Sequence, residues 1–294
     1  MPHALRRIIR HALLAATTVL AVLTAQAEPR PDHLTIGLLP GESAPTVMRL
    51  NEPLRAYLEK RLNVKVELVV GANYAATGEA LRFGRLDIAY LGPVTYILRS
   101  RSAKLEPFAR PTHAIDGPTF KAVIIAPAES AAKSLGDLKG QDIAFGDPAS
   151  TSGTWVPRYQ LLEAGLVSGR DYTPRVLGAH DAVALAVASH RVGAGGLSKP
   201  IFERLVAEGR LDAAKVKILA ESPEIPEYMW TFREGVDTAF KEEIRKAFLE
   251  MNDPEALKAF RATAFVPADD ADVDPVRKWI DAIGAANPEA VPAP

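Results

Sequence analysis

The chain has 294 residues, 48% of them hydrophobic, and its 35 basic and 36 acidic side chains leave a formal net charge of −1. Charges of both signs are scattered along it, and no basic stripe or basic amphipathic helix indicates nucleic acid or a membrane surface as a partner. No cysteine occurs, so we expect neither a disulfide framework nor a lipid attached through cysteine.

Residues 1–27 are predicted to be a cleaved signal peptide. Three arginines among the first ten residues precede the apolar stretch 12–24, and Ala25-Gln26-Ala27 is typical of a signal-peptidase site. The apolar stretch is shorter than the roughly 20 residues that a membrane-spanning helix needs. Cleavage after Ala27 removes three basic residues and no acidic one, which leaves a net charge of −4. We therefore expect an exported, soluble, periplasmic monomer.

Strand and helix patterns alternate in the first part of the chain. In order, they predict a strand at 34–39, a helix at 47–62 that contains Pro53, a strand at 64–70, a helix at 75–83 and a strand at 87–91. Such a βαβ series indicates a largely parallel sheet covered by helices.

The same alternation restarts further along the chain. It predicts strands at 121–125, 142–145 and 216–220, with helices at 155–164, 181–189, 237–260 and 276–283. About 267 residues after cleavage exceed the usual size of one domain. We therefore predict two α/β lobes, with the C-terminal segment returning to the first.

Three consecutive hydroxyl residues, Ser150-Thr151-Ser152, lie where the predicted strand 142–145 leads into a helix. A helix start offers free backbone N–H groups and partial positive charge, and the hydroxyls add side-chain donors. A tetrahedral oxyanion suits such a position. The alternative is ordinary capping of the helix by Ser150 or Thr151.

Four segments in order carry a resemblance to a known family. They are Gly71-Ala72-Asn73-Tyr74-Ala75-Ala76, the run from Gly84 to Pro93, the run from Phe145 to Gly153, and Gly178-Ala179-His180-Asp181-Ala182. Together they resemble the phosphate-, phosphite- and phosphonate-binding receptors of ABC transporters. The similarity extends in order from about Leu34 to Trp230.

The resemblance implies a type II periplasmic-binding-protein fold, α/β, with a ligand cleft between two lobes. The first lobe would comprise residues 28–121 and 222–294, and the second residues 122–221, with the chain crossing near 120–126 and 216–226. The cleft would close on a small phosphorus oxyanion without any cofactor or metal. The closed protein would then deliver the anion to a membrane permease driven by a cytoplasmic ATPase.

The resemblance also implies roles for individual side chains. Ser150, Thr151 and Ser152 would hold the phosphonyl oxygens, while Tyr74 and His180 would donate further hydrogen bonds. Phe120 falls where the family has a hinge aromatic, so a tyrosine hydroxyl is replaced by packing alone. Tyr96 and Glu227 complete the set of candidate binding residues.

The expected ligand depends on the carboxylates that this sequence lacks. Relatives that bind aminophosphonates place carboxylates around the amine, but Gly195-Gly196-Leu197-Ser198-Lys199 supplies none, which leaves only Glu227 as a partner. We therefore expect phosphite, a short alkylphosphonate or phosphate.

Two other functions stay open. A periplasmic sensor that signals to a histidine kinase would have the same binding site. A phosphoesterase could use Ser152 as nucleophile and His180 as base, although the G-x-S-x-G elbow is missing and no acidic orienting residue is placed by motif. Arg158 is expected to face solvent, and Asp181 to cap its own helix.

Overall fold

The computed structural model describes residues 31–288, so the predicted signal peptide lies outside the described residues. The thirteen strands of the described part are, in chain order, β1 (His33–Leu38), β2 (Lys65–Val70), β3 (Ile88–Leu91), β4 (Glu106–Thr112), β5 (Thr119–Phe120), β6 (Ala122–Pro127), β7 (Asp142–Gly146), β8 (Thr173–Gly178), β9 (Ala194–Ser198), β10 (Val216–Glu221), β11 (Ile225–Pro226), β12 (Met229–Phe232) and β13 (Ala264–Val266).

The α-helices between residues 31 and 288 are α1 (Ala44–Leu62), α2 (Tyr74–Arg82), α3 (Pro93–Ser100), α4 (Val156–Glu163), α5 (His180–Ala188), α6 (Lys199–Ala207), α7 (Thr238–Leu249), α8 (Pro254–Lys258) and α9 (Asp274–Ala286). A π-helical turn, Thr151–Trp155, leads directly into α4. Within this part of the chain no helix has the length and apolar character needed to cross a membrane.

Two sheets with the same strand pattern form the two halves of the fold. The first has the order β13-β4-β12-β3-β1-β2, in which β2, β1 and β3 run parallel and β12 is antiparallel to β3. The second has the order β10-β6-β9-β7-β8, in which β8, β7 and β9 run parallel and β6 is antiparallel to β9. The repeat of this pattern, with helices packed on both sheets, confirms the predicted two-lobed α/β fold.

The chain passes between the sheets twice, and the two passages pair with each other. β5 and β11 form a separate two-stranded antiparallel ribbon, with Phe120 opposite Ile225. β6 enters the second sheet directly after β5, and β10 leaves it directly before β11. Within residues 31–288 these two passages are the only places where the chain connects the two sheets.

In the first lobe, the spacing of apolar residues explains how helix α1 packs on the sheet. In α1 the buried residues Leu54, Leu58 and Leu62 recur every four positions and face the sheet. Pro53 lies inside this helix without ending it. The prediction of one continuous helix over residues 237–260 is wrong. Residues 237–260 form two helices, because Asp253 caps α8 and Pro254 occupies its first turn, where a missing N–H costs nothing.

The C-terminal segment returns to the first sheet, as predicted, and also contacts the second lobe. β12 and β13 join the first sheet. Helix α9 packs in a core that includes Trp155, which comes from the turn before α4. Trp279 on α9 stacks on Tyr159 of α4, with ring centroids 5.7 Å apart.

Candidate functional site

A cavity of about 220 Å³ lies between the two sheets, beside the crossing ribbon. Its walls come from the end of β1, the first turns of α1, α2, α5 and α6, the segment after β11, and the end of α8. The lining residues include Leu38, Leu39, Gly41, Glu42, Val47, Leu50, Asn51, Tyr74, Tyr90, Phe120, His180, Ser198, Pro200, Ile201, Arg204, Glu227, Tyr228 and Phe260. Of the predicted site residues, the cavity lining includes Tyr74, Phe120, His180 and Glu227.

The hydroxyl turn, residues 150–154, is completely buried and does not itself line the cavity, but it lies against Tyr74, Tyr228 and His180, which do. Ser150 is the N-cap, and its Oγ accepts a hydrogen bond from Gly153 N at 3.1 Å. Thr151 Oγ1 accepts from Val94 N of the first lobe at 3.0 Å. Ser152 Oγ lies close to the Tyr228 hydroxyl but makes no hydrogen bond of ordinary geometry among the described residues. A buried hydroxyl without a well-formed hydrogen bond is costly, and a ligand that bonds to Ser152 would remove this cost.

Asp147 anchors the hydroxyl turn to the first lobe. Its Oδ2 accepts from Tyr74 N at 3.0 Å, and its Oδ1 accepts from Ala149 N at 2.8 Å. Thr95 Oγ1 donates to Ala149 O at 3.0 Å. The first turns of α2 and α3 therefore hold the segment that begins α4, and the amide ends of three helices converge at one point.

Two tyrosine hydroxyls lie beside the hydroxyl turn, and one of them, that of Tyr228, was not predicted. The hydroxyl of Tyr228 lies next to those of Tyr74, Ser150 and Ser152, and burial raises its pKa to about 12. Burial also raises the pKa of Tyr74 well above its ordinary value. Both phenols therefore stay protonated at neutral pH and can donate hydrogen bonds.

The position of Tyr228 depends on residues far away in the chain. Its ring packs edge-on against Phe120, with centroids 5.8 Å apart, and lies directly over Gly92. A Cβ at position 92 would come within 2.8 Å of Tyr228 Cζ, so a glycine is required there. Phe120 contributes packing alone, and Tyr228 brings a phenol to the side of the site where the family tyrosine is missing. Its only sequence signal is its place at the second crossing, next to Glu227.

His180 begins α5 and is almost completely buried. Its Nδ1 accepts a hydrogen bond from Ser198 N at 3.2 Å, so the neutral ring carries its proton on Nε2. Burial lowers the pKa of His180 to about 4, despite the opposing effect of Asp181. His180 therefore presents a neutral N–H donor to the cavity. No hydrogen bond joins it to Ser152, the nucleophile of the phosphoesterase alternative.

Glu227 lines the cavity but already has partners. Its Oε1 accepts from His113 Nε2 at 2.8 Å and lies 3.9 Å from Arg261. Its Oε2 accepts from Tyr228 N at 3.1 Å. The bond to Glu227 raises the pKa of His113. The carboxylate that the sequence offered as an amine partner is thus paired within the protein.

The structure places the other candidates elsewhere. Tyr96 does not line the cavity, because its hydroxyl points away and donates to Asp270 Oδ1 at 2.7 Å. Arg158 does not face solvent freely but is largely buried, with its guanidinium 5.2 Å from the centre of the Phe145 ring. Asp181 lies inside the first turn of α5, where Ala179 is the N-cap, and pairs with Arg210 at 2.9 Å. In residues 31–288 no cluster of three or more His, Asp or Glu side chains has the geometry of a metal site.

Comparison with known proteins identifies the family of the chain. The family model described as "ABC transporter, phosphonate, periplasmic substrate-binding protein" matches residues 36–273. The chain is 28% identical to the phosphonates-binding periplasmic protein of Escherichia coli, over 91% of this chain and 82% of the relative. It is also 28% identical to the phosphate-import protein PhnD of Mycolicibacterium smegmatis, over 88% of each chain.

Solved structures give the same result. The fold superposes with a TM-score of 0.80 on a binding protein component of an ABC phosphonate transporter from Pseudomonas aeruginosa, at 25% identity, covering 87% of this chain and 88% of the other. Because the family model covers most of the chain and the fold agrees over the same region, this protein belongs to the family of periplasmic phosphonate-binding proteins of ABC transporters.

Proposed function

We propose that the protein captures a small phosphorus oxyanion, such as phosphite, a short alkylphosphonate or phosphate, at the buried hydroxyl turn. The observation that supports this is Ser152, a buried hydroxyl without a well-formed hydrogen bond, next to Tyr228 and beside the free N–H groups of a helix start. Tyr74, Ser150, Thr151 and His180 surround the same point with further donors. Phosphonates and phosphate are also what the two curated relatives are named for.

The donors are neutral, and this suits a buried oxyanion. Thr151 Oγ1 and Ser150 Oγ each accept one bond from a backbone amide, which leaves their O–H groups to donate outward. The hydroxyls, the His180 Nε2–H and the helix ends stabilise negative charge without a buried cation. At this site, protein groups that are already oriented would replace the water molecules that hydrate the oxyanion in solution.

Localisation, partners and lobe movement complete the proposal. We infer cleavage after Ala27, release into the periplasm as a monomer, and delivery of the anion to a membrane permease coupled to a cytoplasmic ATPase. Residues 28–121 with 222–294, and residues 122–221, would move as two lobes about the β5–β11 ribbon. The division of the two sheets between these segments supports that assignment.

Three single substitutions test the site. We expect Ser152→Ala to weaken binding of phosphite and methylphosphonate about ten- to a hundredfold, because a hydrogen bond to a charged group is lost. The resistance of this variant to urea should equal or exceed that of the wild type, since Ser152 Oγ makes no well-formed hydrogen bond within the protein.

The neighbouring hydroxyls serve as matched comparisons for Ser152. Ser150→Ala removes a helix cap and Thr151→Ala leaves Val94 N unpaired, so each should also lower the free energy of unfolding by about 1–2 kcal/mol. Calorimetric titration and urea unfolding measure both quantities. Unchanged affinity in all three variants would place the anion elsewhere.

A further inference from the structure

The cavity is larger than an oxyanion alone requires. One water molecule needs roughly 10–15 Å³ of cavity space, and this cavity offers about 220 Å³. A phosphonate head group has four heavy atoms, and its bonded oxygens lie closer together than separate waters do. Space for several more atoms is therefore left in the cavity that Tyr74, Tyr228 and His180 line.

The walls of this remaining space are mostly apolar. Val47 and Leu50 contribute from the first turns of α1, Ile201 from the first turn of α6, and Phe260 from the segment after α8. Leu39, at the end of β1, lies on the same surface. We call these five residues the substituent chamber.

The two carboxylates that line the cavity, Glu227 and Glu42, are already paired within the protein. Both ring nitrogens of His113 face oxygen acceptors, Glu227 Oε1 at 2.8 Å and Arg261 O at 3.0 Å, so the doubly protonated ring satisfies both. An imidazolium thus pairs with Glu227, and Arg261 adds a second positive charge. Glu42 pairs with Arg204 and Arg210. An ammonium group entering here would find no free carboxylate.

We propose that the substituent chamber binds an uncharged alkyl group of three or four carbons attached to the phosphorus of the ligand, and that it rejects an ammonium group of the same size. This inference rests on the proposed function, because it assumes that the phosphorus oxyanion occupies the hydroxyl turn. It assigns the protein to alkylphosphonates larger than methylphosphonate.

Calorimetric titration of the purified protein with a ligand series tests the inference. The series is phosphite, methyl-, propyl- and butylphosphonate, and 2-aminoethylphosphonate, which has the size of propylphosphonate but carries an ammonium group. Each buried methylene strengthens binding by about fourfold at most. We therefore expect butylphosphonate to bind at least tenfold more tightly than methylphosphonate, and propylphosphonate at least tenfold more tightly than 2-aminoethylphosphonate.

A substitution in the chamber tests whether the preference for longer alkyl groups arises there. Ile201→Phe adds volume to one wall and should lower the ratio of butylphosphonate to phosphite affinity at least tenfold. Ile218→Phe makes the same change at an exposed position of β10 that does not line the cavity, and should leave that ratio unchanged.

The outcomes separate the two hypotheses. Tight binding of phosphite and methylphosphonate, with weaker binding of the propyl and butyl compounds, would overturn the chamber and leave the proposed function standing. Tighter binding of 2-aminoethylphosphonate than of propylphosphonate would overturn the exclusion of ammonium. If no phosphorus compound of the series binds, the proposed function fails and the chamber with it.

Discussion

The position of one proton decides what His180 can do. Ser198 N donates to Nδ1, so the proton lies on Nε2, and a second proton on Nδ1 would oppose the Ser198 N–H. Burial disfavours the charged ring and lowers its pKa to about 4. At neutral pH the cavity therefore receives an uncharged hydrogen-bond donor from His180.

This protonation state predicts a pH dependence of stability. The unfolded His180 has a pKa near 6.5, so between about pH 6.5 and 4 the unfolded state binds a proton that the folded state does not. Stability due to His180 is therefore present above pH 6.5 and is lost as the pH falls through this window. Relative to His180→Asn, the wild type should lose about 3 kcal/mol of unfolding free energy between pH 7 and 4.

Urea unfolding of the unliganded protein at a series of pH values measures this difference. His190→Asn is the control, because His190 is exposed and has a positive φ of 57°, which asparagine tolerates. It should keep the wild-type profile. Parallel profiles of wild type and His180→Asn would show that the folded protein carries His180 protonated.

At the scale of elements, β9 explains why the stretch 195–199 supplies no carboxylate to the cleft. Gly195 and Gly196 lie where helices approach both faces of the second sheet. A Cβ on Gly195 would come within 2.6 Å of Val183 on α5, and one on Gly196 within 2.4 Å of Pro157 on α4. The two glycines therefore allow the helices that carry His180 and the hydroxyl turn to approach the sheet closely.

Gly196→Ala tests this packing. Because Pro157 is rigid and comes three residues after the hydroxyl turn, the added methyl group should displace the start of α4. We expect a loss of about 1–3 kcal/mol in unfolding free energy, together with weaker anion binding. Gly136→Ala is the control, since its Cβ would have only an ordinary contact of 3.7 Å with Ser134 Oγ. Wild-type stability and affinity for Gly196→Ala would show that α4 moves aside freely.

At the scale of the whole molecule, a charged cluster joins the lobes at the cavity. Glu42, in the loop after β1, is only 5% exposed and pairs with Arg204 and Arg210 of the second lobe. Arg210 also pairs with Asp181 at 2.9 Å, and Gly41 O accepts from His180 N at 3.0 Å. These contacts exist only when the lobes are together, so they stabilise the closed arrangement.

Glu42→Gln should shift the protein towards separated lobes. The arginines are partly exposed, which reduces the worth of the cluster to about 1–2 kcal/mol, or about a tenfold loss of ligand affinity. Titration with methylphosphonate and small-angle X-ray scattering without ligand measure the affinity and the radius of gyration, which should increase. The control is Glu52→Gln, which removes an exposed ion pair within α1. Unchanged size and affinity would mean that Glu42 does not favour closure.

Sequence patterns predicted six of the thirteen strands that the structure describes, and helices at every position except α3 and α6, because these signals are local. The alternation in 64–70 and the four-residue spacing in α1 depend only on which faces of an element are buried. The prediction was wrong over 237–260, where apolar spacing continued across the cap at Asp253 and hid a break between two helices. β9 was not predicted because its two glycines weaken the strand signal. Glycines are needed there because helices α5 and α4 pack closely against the strand.

For the site, the sequence by itself determined which segments carry hydrogen-bond donors, because helix starts, hydroxyl runs and family motifs are read along the chain. Only the tertiary structure decided which of these hydroxyls also accept hydrogen bonds within the protein. Ser152 and Thr151 are neighbours, yet one hydroxyl makes no well-formed hydrogen bond and the other accepts from Val94. Tyr228 reaches the site because position 92 lacks a side chain, and Glu227 is unavailable because His113 lies against it. Hydrogen bonds and close contacts between residues distant in sequence follow from packing in three dimensions, which no local pattern records.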